Sequence, residues 1–308
     1  SMAVRHADVF APGRVACITG SSSGIGREVA RRCAKFGMKV FMADVDEAML
    51  KEAAEEVGKL AAAPGDVVGV VTNVADAASV EKLKDTVFAA YGACHFLHNN
   101  AGIGRGGGAL APLADWERTL GVNMWGVIHG CQAFVPAMKA TGAPGLVVNT
   151  GSKQGITAPP GNLAYNVSKT AVKVFTEGLQ HEFRSEEGCK LTAALVVPGW
   201  VNTALFLKTR RDTALAKGEQ FDPSTVPFHE GKPAAGAWSP AQTVDFFFEE
   251  LDNGRFYIMC PDNDVDRETD NLRMTWAMQD ITQDRPPLSR WHPDYKEQFA
   301  AYLAANGK

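Results

Sequence analysis

Short apolar runs alternate along the chain with segments in which apolar residues recur every three or four positions. The first run, 14–19 (RVACIT), ends in a glycine turn, and 25–36 then sets Ile25, Val29, Cys33 and Phe36 on one stripe. Further strands are predicted at 38–43, 67–72, 94–98, 145–150 and 190–197. Helices are predicted near 46–58, 77–90, 113–140 and 163–186. Turn-bounded apolar runs of this length read as strands, and the 3.6-residue stripe reads as helix. These strands are apolar on both faces, so helices must cover both faces, as in a parallel sheet. Right-handed crossovers make that arrangement a doubly wound α/β fold.

Beyond about residue 199 the alternation weakens. Residues 203–240 read as a loop rich in Pro, Gly, Lys and aromatic side chains, with weak helical character. A helix near 240–252 and a strand near 255–260 (RFYIMC) follow, and 261–308 is acidic, then helical, then broken by Pro286, Pro287 and Pro293. No internal repeat or low-complexity tract is visible.

A length of 308 residues allows two domains, but one α/β domain also reaches this size. Apolar residues make up 45% and charged residues 21%, which fits a packed globular chain rather than a disordered one. A net charge of -4 argues against a nucleic-acid partner or a membrane-surface binder. No apolar run approaches the roughly 18 residues of a membrane span, and no leader pattern opens the chain. The six cysteines (Cys17, Cys33, Cys94, Cys131, Cys189, Cys260) form no C-x-x-C clip. They read as buried thiols of a reducing, cytoplasmic compartment.

Candidate chemistry begins at the first strand's end, in Thr19-Gly20-Ser21-Ser22-Ser23-Gly24-Ile25-Gly26. Glycines between a strand and a helix let backbone N–H groups approach a pyrophosphate. Asp44 ends the second strand, where a carboxylate can accept from both ribose hydroxyls of an adenosine and repel a 2′-phosphate. Asp46 is the better candidate for the cap of the next helix. Tyr165 and Lys169 share one helical face at i,i+4 spacing. An ammonium there would favour the phenolate of a side chain whose ordinary pKa is about 10. Such a pair suits proton transfer at a carbonyl or alcohol oxygen. Ser152 lies just after the fifth strand, where its hydroxyl could polarise that oxygen.

These motifs, in this order and spacing, resemble the short-chain dehydrogenase/reductase family. The match is dense over about 14–204 and reaches 205–260 only in outline. The resemblance implies one domain across 1–308, a doubly wound parallel sheet (Rossmann fold), with 203–240 as a substrate lid and 261–308 as a C-terminal helical extension. It implies catalysis by Asn123, Ser152, Tyr165 and Lys169, with Asn123 bending its helix and holding a water near Lys169. It places the cofactor against Gly20, Ser22, Ser23, Gly24, Ile25, Gly26, Asp44, Val45, Asn73, Val74, Asn100, Ala101 and Gly102. Tyr165, Lys169, Pro198, Gly199, Val201 and Thr203 complete that surface. Asn73 stands where Asp is commoner, and Asn99-Asn100-Ala101-Gly102 matches the family's N-N-A-G motif. Basic residues that favour NADP are replaced by Ser23 and Val45, so NAD is the expected cofactor.

The implied activity is hydride exchange between NAD and a secondary alcohol or ketone. Physiological ketone reduction is an alternative, and a non-catalytic NAD-sensing protein is a weaker one, since the four catalytic residues are retained. Gln154, Trp200 and Phe206 are candidate substrate contacts; Pro159, Pro160 and Trp238 are further candidates for the pocket or its lid. Lys208, Arg210 and Arg211 read as solvated helix charges ahead of an acidic-substrate site. The run Asp262-Asn263-Asp264-Val265-Asp266 fails as a calcium loop, because Arg267 and Arg273 occupy the glycine and glutamate positions, and reads as the acidic start of a helix. His95 and His98 sit at i,i+3 on a strand and face opposite ways, so no metal is expected. Leu272, Trp276, Met278 and Ile281 in the tail need burial against their own subunit or another. The family commonly dimerises through helices corresponding to 113–140 and 163–186, so a homodimer or homotetramer is expected. Substrate identity is then carried by 203–240 and 261–308, where the resemblance is thinnest.

Overall fold

The structure is a computed structural model that describes residues 6–104, 107–216, 218–228 and 231–308. In chain order the first half comprises α1 (His6–Val9), β1 (Val15–Thr19), α2 (Gly24–Lys35), β2 (Lys39–Asp44), α3 (Glu47–Gly58), β3 (Val67–Val71), α4 (Ala77–Tyr91) and β4 (Phe96–Asn99). The second half comprises α5 (Leu113–Leu120), α6 (Gly126–Thr141), β5 (Gly145–Thr150), α7 (Gln154–Thr157), α8 (Leu163–Ser185), β6 (Leu191–Val197), α9 (Ala204–Ala216), α10 (Pro240–Asp252), β7 (Tyr257–Met259), α11 (Arg267–Thr282) and α12 (Lys296–Ala305). The strands form one seven-stranded sheet in the order β3-β2-β1-β4-β5-β6-β7. Every neighbouring pair is parallel. The doubly wound α/β expectation is therefore met.

Alternation along the inner strands feeds two cores. Ala16 and Ile18 of β1 and Leu146 and Val148 of β5 point into one, with Val29 of α2, Leu50 of α3 and Phe247 of α10. Val15, Cys17 and Val147 point into the other, with Leu83 of α4, Phe134 of α6 and Val172 of α8. The edge strand β3 departs from the both-faces-buried expectation, since Val71 is 53% exposed and only one neighbour covers it. Asp46 caps α3 by accepting from the Met49 N–H at 3.1 Å, as its place ahead of the helix predicts.

Three expectations need correction. The single helix predicted over 113–140 is two helices joined by a π-helical turn, Gly121–Trp125, with Asn123 buried at its centre. Segment 203–240 is not mainly loop: α9 fills its first third with good helix formers such as Leu205, Leu207, Lys208 and Arg210. Its helix was hard to see because it lies over a cleft and carries no regular apolar stripe. The cysteines are all free and five are buried, but Cys189 is only half-buried, because it lies in the turn ahead of β6.

The tail forms its own small cluster. The Trp276 ring packs against Phe299 and Tyr302 of α12. Its indole N–H donates to the Ser289 hydroxyl at 2.8 Å, and that hydroxyl donates to Asp280 at 2.6 Å. Met278 and Ile281, expected to need burial, are 59% and 77% exposed, because the buried face of α11 instead presents Asp270, Trp276 and Asp280.

One buried group sets an acid limit on stability. His98 in β4 is fully enclosed, and burial pushes its pKa down to about 3. The unfolded chain binds this proton near the ordinary value of about 6.5 while the folded chain does not. Stability is therefore lost as pH falls from about 6.5 toward about 3, by a few kcal/mol at most. Chemical denaturation at neutral and acidic pH should show this loss, and a folded His98→Gln variant should show a shallower one.

Candidate active site

Strand order reverses between β1 and β4, and ligands bind outside the carboxyl ends of parallel strands at such a switch. A cleft of about 1080 Å³ opens there, lined from the ends of β1, β2, β4, β5 and β6. The glycine turn forms one wall. A Cβ on Gly26 would lie 2.3 Å from the Gly20 carbonyl oxygen and 2.6 Å from Asn100 Nδ2, so only glycine lets α2 start this close to β1. Asn100 braces the turn by donating to the Thr19 and Gly20 carbonyls at 3.1 and 3.2 Å. The Thr19 hydroxyl accepts from the Asn100 and Ala101 N–H groups at 3.0 and 3.1 Å.

Asp44 lies against this turn. One carboxylate oxygen accepts from the Ser22 N–H at 3.1 Å and the Ser22 hydroxyl at 2.7 Å; the other accepts from the Asp46 N–H at 3.2 Å. Of the residues assigned to the cofactor surface, Gly20, Ser23, Gly24, Ile25, Asp44, Val45, Asn73, Val74, Asn100, Ala101 and Gly102 line the cleft, as do Tyr165 and Lys169. Pro198, Gly199, Val201 and Thr203 close its far end. Ser22 and Gly26 stand behind it, the first orienting Asp44 and the second packing the helix. The fit to an adenosine-bearing dinucleotide is good: a strand-end cleft, a cradle a Cβ would fill, and a buried carboxylate in place for ribose hydroxyls.

Ser152 and Tyr165 meet at the middle of the cleft. Ser152 follows β5 and its hydroxyl accepts from the Gln154 N–H at 3.2 Å. Tyr165 sits in the first turn of α8 and lines the cleft beside Ser152, whose hydroxyl is near enough to act on the phenol. Burial raises the Tyr165 pKa above its ordinary value, and the Ser152 hydroxyl only partly offsets this. The expectation that Lys169 lowers it is not met in this arrangement. The Lys169 ammonium donates to the Thr150 carbonyl at 2.8 Å and lies 5.8 Å from the Tyr165 ring centre, rather than at the phenol oxygen. Burial brings Lys169 itself down to about 8. Asn123 does not line the cleft. Its amide donates to the Ile103 carbonyl and the Ser168 hydroxyl at 3.0 and 3.1 Å and accepts from the Ile103 N–H at 2.8 Å. The π-turn is what aims it inward, and such turns are frequent at functional sites.

The other wall is aromatic. Phe206 of α9 stacks on Phe228 at 4.5 Å, and Phe228 meets Trp200 edge-on at 5.0 Å. Gln154 also lines the cleft and is held by the Asn162 amide at 3.1 Å. Pro159, Pro160 and Trp238 are not among the lining residues. Trp238 instead packs on Phe246 and bridges to Val201, while the Pro159 carbonyl accepts from Asn166. The reading of α9 charges as solvated is corrected for Lys208, whose ammonium crosses the cleft to within 3.4 Å of the Ser22 hydroxyl. Arg211 lines the cleft too, and Arg210 lies over the Phe206 ring. Sequence reasoning also missed Thr72, Val122, Leu205 and Phe228. Nothing in their local pattern marks them, because helix return and strand register bring them in.

No group of three or more metal-ligating side chains occurs among the described residues. His95 bonds Arg14 and the Val15 N–H, while His98 bonds Thr150, so the two point apart as predicted. Asp266 caps α11 through the Thr269 N–H at 2.8 Å, which fits the helix-start reading of the acidic run. Among the described residues no helix is long and apolar enough to cross a membrane.

Residues 14–214 match the family model described as short chain dehydrogenase. The chain belongs to the short-chain dehydrogenase/reductase family. It is an oxidoreductase of a family that binds a nicotinamide cofactor. It is 38% identical over 209 residues to the oxidoreductase SadH of Mycobacterium tuberculosis, covering 67% of this chain and 72% of that one. It is 34% identical over 193 residues to the 1-deoxy-11-beta-hydroxypentalenate dehydrogenase of Streptomyces avermitilis, covering 63% of this chain and 69% of that one. A family member from Burkholderia phymatum, solved in complex with NAD, superposes with a TM-score of 0.78 at 32% identity, covering 91% of this chain and 97% of that one. Solved structures of this fold carry NAD in some cases and NADP in others.

Proposed function

We propose that this dehydrogenase/reductase interconverts a secondary alcohol and its ketone with NAD, using Ser152, Tyr165, Lys169 and Asn123. The observation that carries the reading is that Ser152, Tyr165 and Lys169 line one strand-end cleft, with the Lys169 ammonium 5.8 Å from the Tyr165 ring centre. The Ser152 hydroxyl holds the substrate oxygen and Tyr165 takes or gives its proton. Lys169 would hold the cofactor's ribose and, brought to about 8, can pass a proton onward near neutrality. Asn123 keeps the backbone at Ile103 in place beside this path. The bound nicotinamide supplies the hydride acceptor or donor. Holding it and the alcohol in contact accounts for much of the rate.

The NAD preference is supported by Asp44 at the ribose position and by Ser23 and Val45 beside it, which bring no cation. Residues 203–240 act as a lid: α9 covers the cleft and its Phe206 joins Trp200 and Phe228 into an apolar, ring-accepting wall. The described side chains leave Trp125, Val167 and Val174 exposed near the π-turn and on α8, which supports a homo-oligomer joined there.

A panel of apolar and ring-bearing secondary alcohols, followed by formation of reduced nicotinamide, tests the reading. Turnover with NAD is expected to exceed turnover with NADP. Because burial raises the Tyr165 pKa, the base form is favoured only as pH rises. Alcohol oxidation should therefore quicken with pH above neutrality while ketone reduction slows. Tight NAD binding with no turnover across the panel would instead support the sensing protein. Oxidation faster in acid than in base would remove Tyr165 as the base.

A further inference from the structure

The tail meets the turn after Ser152 at Lys153. Lys153 directly follows Ser152, and its ammonium lies 2.6 Å from Asp270 of α11 and 3.3 Å from Asp262. All three side chains are largely enclosed, at 15%, 6% and 7% exposure for Lys153, Asp270 and Asp262. The same Asp262 oxygen accepts from the Trp200 N–H at 3.0 Å. A Cβ on Gly199 would lie 2.6 Å from that oxygen and 2.8 Å from the Lys153 nitrogen, so this ion cluster fills the space above the Gly199 backbone. At the far end of α7, the Trp291 indole donates to the Thr157 carbonyl at 3.0 Å. The segment 153–157 is thus gripped by the tail at both ends.

The gripping element is itself braced. Asp280 bonds the Ser289 N–H at 3.0 Å and Arg285 at 3.1 Å, and Arg285 lies 3.8 Å over the Trp276 ring. A buried ion pair contributes little net stability compared with an apolar filling of the same volume. It does fix position, because breaking it strands a charge. Here the position fixed is that of the turn that carries Ser152 and of the 199–200 backbone opposite.

We propose that residues 261–308 act as a positioning brace for the Ser152 turn, with Lys153, paired to Asp262 and Asp270, as the positioning residue. Lys153 also borders the cleft, but its ammonium is turned to Asp262 and Asp270, so its role here is to hold the turn. It acts through the Ser152 hydroxyl, so the proposal rests on the catalytic reading of Ser152 given above. Misplacing a reacting group by about 1 Å costs on the order of a hundredfold in rate.

The test is a double-mutant cycle on the full-length protein. Lys153→Met is expected to lower kcat roughly 10- to 100-fold, with the NAD dissociation constant unchanged. Lys153→Arg, which keeps the pairing, should recover most of the loss. Should Lys153→Met not fold because it strands two carboxylates, the charge-matched Lys153→Met/Asp270→Asn protein carries the same expectation. In a Ser152→Ala background, adding Lys153→Met should change kcat very little. A folded Lys153→Met enzyme with the wild-type kcat overturns the proposal, and so does a loss that simply adds to that of Ser152→Ala. Normal turnover by Ser152→Ala alone overturns the catalytic reading itself, and the single variant shows this before the cycle is closed.

Discussion

Tyr165→Phe should lower kcat by about 10²- to 10⁴-fold, the range expected for loss of a positioned acid/base group. The substitution removes one oxygen and nothing else from a partly buried ring whose centre lies 5.8 Å from the Lys169 ammonium. Ser152 keeps its bond from the Gln154 N–H at 3.2 Å, and Lys169 keeps its bond to Thr150 at 2.8 Å, so neither neighbour is released. The glycine turn and Asp44 lie on other strands and are untouched, so NAD affinity should stay close to that of the wild type. Quenching of protein fluorescence by NAD measures the binding, and steady-state turnover on the best alcohol of the panel measures kcat. Near-normal turnover in the variant would refute the acid/base role. Loss of both binding and turnover would point instead to a collapsed cleft.

Much of this site is readable in one dimension, for a physical reason. The glycine turn, Asp44, Asn100 and Ser152 all stand at or just past the carboxyl end of a strand, and a parallel sheet aligns those ends by construction. Locating the strands therefore locates the residues. Tyr165 and Lys169 are readable because one helical turn joins them. What was not readable depends on contacts between distant segments. Lys208 reaches Ser22 across 186 positions, and Lys153 meets Asp262 across 109. The Tyr165 pKa shifts opposite to what the helical spacing predicts, for a related reason. The spacing puts the ammonium on the correct face, but it donates its hydrogen bond to the Thr150 carbonyl, and burial then dominates. The break in the 113–140 helix was also hidden, since a π-turn differs from an α-turn by one residue of slack that periodicity averages away.

Asp44 should control the choice between NAD and NADP, and its removal should show two separable effects. A carboxylate bonded to ribose hydroxyls contributes about 1.5–3 kcal/mol per bond, or roughly 10- to 100-fold in kcat/KM. Asp44→Ala should therefore lower kcat/KM with NAD by about that factor. It should also lower the melting temperature, because the Ser22 N–H, the Ser22 hydroxyl and the Asp46 N–H all lose their acceptor in a nearly closed site. Asp44→Asn removes the negative charge at a smaller structural cost, since its amide oxygen can still accept from Ser22 and only the Asp46 N–H loses its acceptor. In that variant the repulsion of a 2′-phosphate disappears. The Lys208 ammonium, 3.4 Å from the Ser22 hydroxyl, then stands within reach of the phosphate as a cation already in place. Asp44→Asn should accordingly gain activity with NADP at a smaller loss of melting temperature than Asp44→Ala, and adding Lys208→Ala should take that gain away while affecting NAD less. Kinetics with both cofactors on the single and double variants check this. An NAD-to-NADP ratio unmoved by either Asp44 substitution would mean that discrimination lies elsewhere in the cleft.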